Sequence, residues 1–164
     1  MLVTLQEAMV LATDYAVSGV NNNIGGPFGA MILKKQHYCS EHLYEVVSLA
    51  RNTVVSTLDP TNHAEMNAIR QACELLGTFD LSDCILITTG KSCPMCASAI
   101  MWANIKKVYY GTTYKDAELI GFRDKHIHDH LKGEIKLVEE IQFNRDYALN
   151  CHKAWADKND RVLY

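Results

Sequence analysis

The 164 residues suit one domain able to bury a proper core, and 48% apolar with 21% charged residues is the make-up of an ordinary globular protein. A formal net charge of −3 leaves no basic footprint, which argues against nucleic acid as a partner. No run approaches the roughly 20 apolar residues of a membrane span, and Glu7 and Asp14 break the layout of a secretory leader, so a cytoplasmic, reducing setting is expected.

Residues 4–18 place Leu5, Ala8, Met9, Ala12, Tyr15 and Ala16 at the spacing of an amphipathic helix, and Thr4 with Glu7 is a capping-box start. Ile24-Gly25-Gly26-Pro27 ends it. Phe28 to Lys34 and about Leu43 to Ala50 predict two strands of a hairpin joined by a polar connection. Asp59-Pro60-Thr61 leads into a helix from about His63 to Leu76, with Ala64, Ala68, Ile69, Ala72 and Leu76 facing inward and Gly77 as the stop. Cys84 to Thr88 predicts a buried central strand, Pro94 to Ala103 an apolar helix, and Val108 to Tyr110 another strand. Beyond Gly121 the pattern weakens to a strand near Ile135–Val138 and a helix around Tyr147–Ala156. This order predicts an α/β fold: a three-layer α/β/α sandwich with a mixed central sheet, formed by residues 1–164 as a single domain.

In a reducing setting the six cysteines read as free thiols or metal ligands before disulfides. Two of them form Cys93-Pro94-Met95-Cys96 at a predicted helix start, where a first turn aims both sulfurs one way and the helix N-terminus favours thiolate. His63 brings the ligand set to three, which suits a catalytic zinc with its fourth position left for water. Glu65, two residues from His63, can face the same cavity without coordinating and serve as general acid and base. Each part has a plainer reading: a capping histidine, a capping box of Asn62 with Glu65, or a redox cysteine pair. His-x-Glu followed by Cys-x-x-Cys, in this order, is the signature of zinc deaminases of nucleobases.

The stretch Asp59-Pro60-Thr61-Asn62-His63-Ala64-Glu65-Met66-Asn67-Ala68-Ile69-Arg70 resembles the zinc motif of bacterial guanine deaminases and tRNA adenosine deaminases, branches of the cytidine-deaminase superfamily. Gly19-Val20-Asn21, Ile24 to Ala30, Ala117-Glu118, Gly121-Phe122-Arg123-Asp124 and the tail with Ala154-Trp155 and Tyr164 are similar to the guanine deaminase branch. The resemblance implies a cytidine-deaminase-like fold, a Zn2+ cofactor and hydrolysis of guanine to xanthine and ammonia. It implies that Asn52 and Ala64 bind the base, that Phe28 and Trp102 wall its pocket, and that Asp124 helps with protons at its edge. Tyr164 would cap the site from a tail of about 145–164. The family is dimeric, in some members by exchanging that tail, so a homodimer is expected. Lys91-Ser92 departs from the Glu-Pro that the family carries before its first cysteine; Ser92 is a candidate helix cap there.

Related targets remain open as alternatives: adenosine in tRNA, a purine nucleoside, cytosine or an amino-triazine. So does a non-catalytic zinc module. His126, His128 and His130 read as surface rather than a second metal site, Cys39 and Cys151 fit no motif, and Cys73 and Cys84 read as core thiols.

Overall fold

β2 (Gly29–Lys35) sends Ala30 and Ile32 into one core and Met31 and Leu33 into another, all fully buried, so the two-residue period of a strand divides the molecule into layers. The structure, a computed structural model, describes residues 1–35 and 42–163; Cys39 and Tyr164 lie outside them. The chain falls into two compact units, Met1–Lys125 and His126–Tyr164.

In the first unit β1 (Leu2–Val3), β3 (Tyr44–Arg51), β2, β4 (Cys84–Gly90) and β5 (Val108–Thr112) form a sheet in the order β1-β3-β2-β4-β5. All neighbours are antiparallel except β4 and β5, which pair in parallel. Parallel neighbours need a crossover, and α4 (Pro94–Trp102) supplies it. α1 (Leu5–Asn21) covers one face, where Ala8 packs with Val3, Met31, Leu33 and Ile87. After a single turn, α2 (Val54–Thr57), α3 (Ala64–Leu76) joins α4 on the other face, with Ala68, Ala72 and Ile100 against Ile32 and Leu86. The expected three layers and mixed sheet are therefore present.

Local signals account for the helix ends. Thr4 Oγ1 accepts from the Glu7 N–H at 3.2 Å while Glu7 accepts from the Thr4 N–H at 2.8 Å, which starts α1. α3 stops at Gly77, whose φ of 66° is costly for a residue with a Cβ. Leu76, in that last turn, is 36% exposed and not part of the inward stripe.

A short helix, α5 (Tyr114–Leu119), follows β5. α6 (Asp124–Leu131) then starts at the end of the first unit and runs into the second. The strand expected near Ile135–Val138 does not form. A strand needs a ladder partner, and here the Leu137 N–H donates instead to His130 Nδ1 at 3.2 Å. The last helix, α7 (Arg145–Asp157), extends the expected one by two residues at the start and one at the end and buries none of its side chains. No helix among the described residues is long and apolar enough to cross a membrane.

Candidate active site

The ends of α3 and α4 meet on one face of the sheet. His63 is the N-cap of α3 and Cys93 the N-cap of α4, with Pro94 opening the first turn that carries Cys96. The loop before His63 is shaped by Asp59, whose carboxylate accepts from the Thr61 N–H (2.8 Å) and hydroxyl (2.7 Å). Asn67 ties α3 to the end of β3 by donating from Nδ2 to the Thr53 hydroxyl (3.0 Å) and the Arg51 carbonyl (3.1 Å). The capping box of Asn62 with Glu65 is absent: Asn62 instead gives its amide to Thr57 and accepts from Arg70. Ser92 does not cap α4 either; Cys93 holds that position and makes no side-chain capping hydrogen bond.

His63 Nδ1 stands 3.5 Å from Cys93 Sγ and 3.6 Å from Cys96 Sγ, and the three donor atoms all lie within 4.8 Å of one another. Tetrahedral zinc, with Zn–S near 2.3 Å and Zn–N near 2.0–2.1 Å, sets nitrogen and sulfur ligands about 3.5–3.6 Å apart. The donor set and its spacing therefore fit zinc with three protein ligands. Among the described residues this is the only cluster of three or more such side chains, and His126, His128 and His130 form none.

Electrostatics point the same way. The hydrogen bond from Cys96 pulls the Cys93 thiol well below its usual range, while the same contact and burial push Cys96 up. The imidazole of His63 is raised, first by its hydrogen bond with Cys93, with further contributions from the charges of Glu65 and Asp124. A cluster that divides protons in this way favours a cation in their place. Glu65 is 5% exposed, and burial, the first cause, raises its carboxyl above the usual range and favours its protonated form. The Ser92 hydroxyl is close enough to pull that value slightly down, yet it forms no hydrogen bond of standard geometry and is a neighbour rather than a partner.

A cavity of about 430 Å³ opens beside His63, of a size usual for small-molecule sites (roughly 300–1,000 Å³). Asn52, Gly25, Gly26, Pro60 and Phe122 are among its walls. Asn52 is buried, and its Oδ1 accepts from the N–H groups of Gly26 and Val54, both at 3.1 Å, which assigns the amide orientation. Gly25 passes so close that a Cβ there would sit 2.4 Å from Asn52 Oδ1.

The other expected contacts are distributed unevenly. Ala64 is fully buried in the first turn of α3. Asp124 opens α6, with its charge felt at His63 and at Tyr114. Phe28 lines a neighbouring groove with Met9 and Thr89, and its ring braces Phe122 edge-on at 4.8 Å. Trp102 sits at the far end of α4, about 9 Å along the axis from Cys96 by helix rise, and is 65% exposed. Tyr164 lies outside the described residues. Phe122 was visible in the sequence only as part of Gly121-Phe122-Arg123-Asp124; its place in the wall comes from the fold.

Comparison with known proteins places these features in context. The pattern of the family described as the cytidine and deoxycytidylate deaminase zinc-binding region matches residues 3–112. Guanine deaminase of Bacillus subtilis (strain 168) is 39% identical over 155 residues, 93% of this chain and 94% of that protein. The X-ray structure of guanine deaminase from Bacillus subtilis is similar with a TM-score of 0.87 at 36% identity, covering 97% of this chain and 98% of the other. The tRNA-specific adenosine deaminase of Aquifex aeolicus is 39% identical over 89 residues, 54% of each chain.

Proposed function

The chain belongs to the cytidine and deoxycytidylate deaminase zinc-binding family, and from that premise we propose that it hydrolyses the amino group of a free purine base, turning guanine and water into xanthine and ammonia. The observation that carries this reading is a buried Glu65 beside the His63–Cys93–Cys96 triangle, whose His63 lines a cavity walled by Asn52. Similarity to guanine deaminase at 39% identity over 93% of the chain supports guanine over a tRNA target, whose relatives match either about half of the chain or more of it at only 29% identity.

Zinc bound by His63, Cys93 and Cys96 would supply Lewis acidity, which activates water as a nucleophile near neutral pH. Glu65 takes a proton from the attacking water. It delivers that proton to the ring nitrogen beside C2, then carries the proton of the hydroxyl added at C2 to the amine, which leaves as ammonia as the C2 carbonyl forms. Burial raises its proton affinity, which suits a group that must hold the proton between the two transfers. Asn52 offers the base its Nδ2 amino group, since Oδ1 is already engaged by Gly26 and Val54. Phe122, braced by Phe28, gives the flat ring an apolar surface and sheds water from it. Asp124, whose charge reaches His63, assists with protons.

The active form is a cytoplasmic homodimer in this reading. Its support is the apolar surface left on the helices: Met101 and Trp102 on α4 are 68% and 65% exposed, and Tyr147 on α7 is 74% exposed. A purely structural zinc would have no use for a carboxyl buried beside it.

The test is ultraviolet-monitored turnover of zinc-loaded protein on guanine, guanosine, adenine, cytosine, ammeline and a tRNA anticodon stem-loop, with Glu65→Gln as control. Guanine turnover that the control loses, with zinc still bound, is expected. Turnover of the stem-loop alone would replace the purine-base reading.

A further inference from the structure

The step from β4 into the Cys93 N-cap is made by Lys91 and Ser92, and the Ser92 side chain does not secure it: Oγ is buried without a hydrogen-bond partner. A proline at 92 would stiffen this step through its ring; serine does not. The hold comes instead from the neighbouring β5–α5 segment. The Lys91 N–H donates to the Thr112 carbonyl at 2.8 Å, and the Tyr114 hydroxyl donates to the Ser92 carbonyl at 2.7 Å. That carbonyl belongs to the Ser92–Cys93 peptide, so fixing it fixes the φ of Cys93, here −64°. The ammonium of Lys91 lies over the Tyr114 ring, 4.9 Å from its centroid, and 5.7 Å from that of Tyr110. Tyr114 is itself anchored, because it opens α5 behind a capping box in which Asp116 accepts from the Thr113 N–H and hydroxyl, both at 2.7 Å.

We propose that Tyr114 is a positioning residue of the metal centre: its hydroxyl, with the ring seated under Lys91, latches the Ser92–Cys93 peptide and so holds the Cys93 sulfur in register with His63 and Cys96. This rests on the zinc reading of the site. Tyr114 touches neither base nor metal in this role. The same short segment continues through Gly121 to Phe122, so one latch joins the ligand loop to a wall of the cavity.

Tyr114→Phe keeps the ring and removes the donor. In the full-length zinc protein it is expected to speed zinc loss to EDTA by about three- to tenfold, the reach of one hydrogen bond. In the cobalt-substituted protein it is expected to shift the thiolate charge-transfer band. Lys91→Met, which spares the hydroxyl, moves both readouts the same way by less, and the double variant changes them by less than the product of the two. Wild-type zinc loss and an unshifted cobalt band in Tyr114→Phe would overturn the proposal, and strictly multiplicative effects would remove Lys91 from it. Thr113→Ala loosens the start of α5 and applies the same test should Tyr114→Phe fail to fold. Neither readout needs a substrate. A wild type with a normal cobalt band and no guanine turnover would therefore sink the substrate reading and leave the latch standing.

Discussion

α3 and α7 are both 13 residues long, yet one is built into the protein and the other is not. α3 buries Ala64, Glu65, Ala68, Ile69 and Ala72 on the face of a sheet that supplies Ile32 and Leu86. α7, in the unit from His126 onward, buries none of its residues, and its Tyr147 and Trp155 are 74% and 42% exposed. A helix of this length is marginal in water without packing. The contrast teaches that the first unit carries its own core and the chemistry anchored to it, while the second carries apolar surface that awaits cover, as the proposed homodimer would give it.

Cys96→Ala should separate the two regions most. It removes one of three ligands, so zinc content by metal analysis is expected to collapse and guanine turnover to fall by about a thousandfold or more. Cys151→Ala, an exposed thiol on α7, should leave both within about twofold. Zinc retained in Cys96→Ala would break the comparison at its root.

Stability sharpens it next. Leu86→Ala in the buried sheet is expected to cost about 2–5 kcal/mol in urea unfolding, and Leu137→Ala, 54% exposed in the second unit, about 0.5 kcal/mol or less. Equal costs would mean that the second unit has a core of its own. The double substitution Tyr147→Ser with Trp155→Ser should then weaken self-association by about tenfold or more, read by light scattering over a dilution series, with the zinc content unchanged. An unaffected dimer would place the interface elsewhere.

The smallest effect belongs to the surface of the first unit. Asp83 and Lys34 pair at 2.6 Å; the hydrogen bond between them lowers the Asp83 carboxyl and raises the Lys34 amine. A lowered acid stabilises above its unfolded pKa of about 3.9 and loses that as pH falls through its folded value. A raised amine stabilises below about 10.4 and loses that as pH rises through its own. The pair therefore contributes between roughly pH 4 and 10.4, by at most about 0.5 kcal/mol after solvent screening. Asp83→Asn should lower the melting temperature slightly at pH 7 and by less at pH 2, as the carboxylate of the wild type is protonated. A difference that persists undiminished at pH 2 would assign the effect to packing.

Much of this is legible in the sequence. His63, Glu65, Cys93 and Cys96 could be read from spacing because each spacing is local: a helix start places Cys93 and Cys96, or His63 and Glu65, within one turn of each other. Thr113 with Asp116 carried the start of α5 in the same way, although so short a helix leaves too few periodic positions to be noticed. The strand expected at Ile135–Val138 had the right residues but no partner, and strand formation depends on a neighbour that composition does not name. Trp102 illustrates the limit from the other side: the family resemblance suggested a pocket wall, and only the fold shows that its end of α4 is exposed, about 9 Å along the axis from Cys96.

By itself, then, the sequence determined the longer elements of the first unit, α1, α3, α4 and β2 to β5, and the candidate ligand set His63, Cys93 and Cys96 with Glu65 beside it, because these follow from period, capping and the chemistry of residues close in the chain. Only the tertiary structure decided that residues 30 positions apart, His63 and Cys93, stand 3.5 Å from each other. It also decided that Asn52 turns its oxygen to Gly26 and Val54, and that Tyr114 reaches back to the Ser92 carbonyl. Those contacts cross between elements, and their geometry is set by how helices and strands pack on a common sheet.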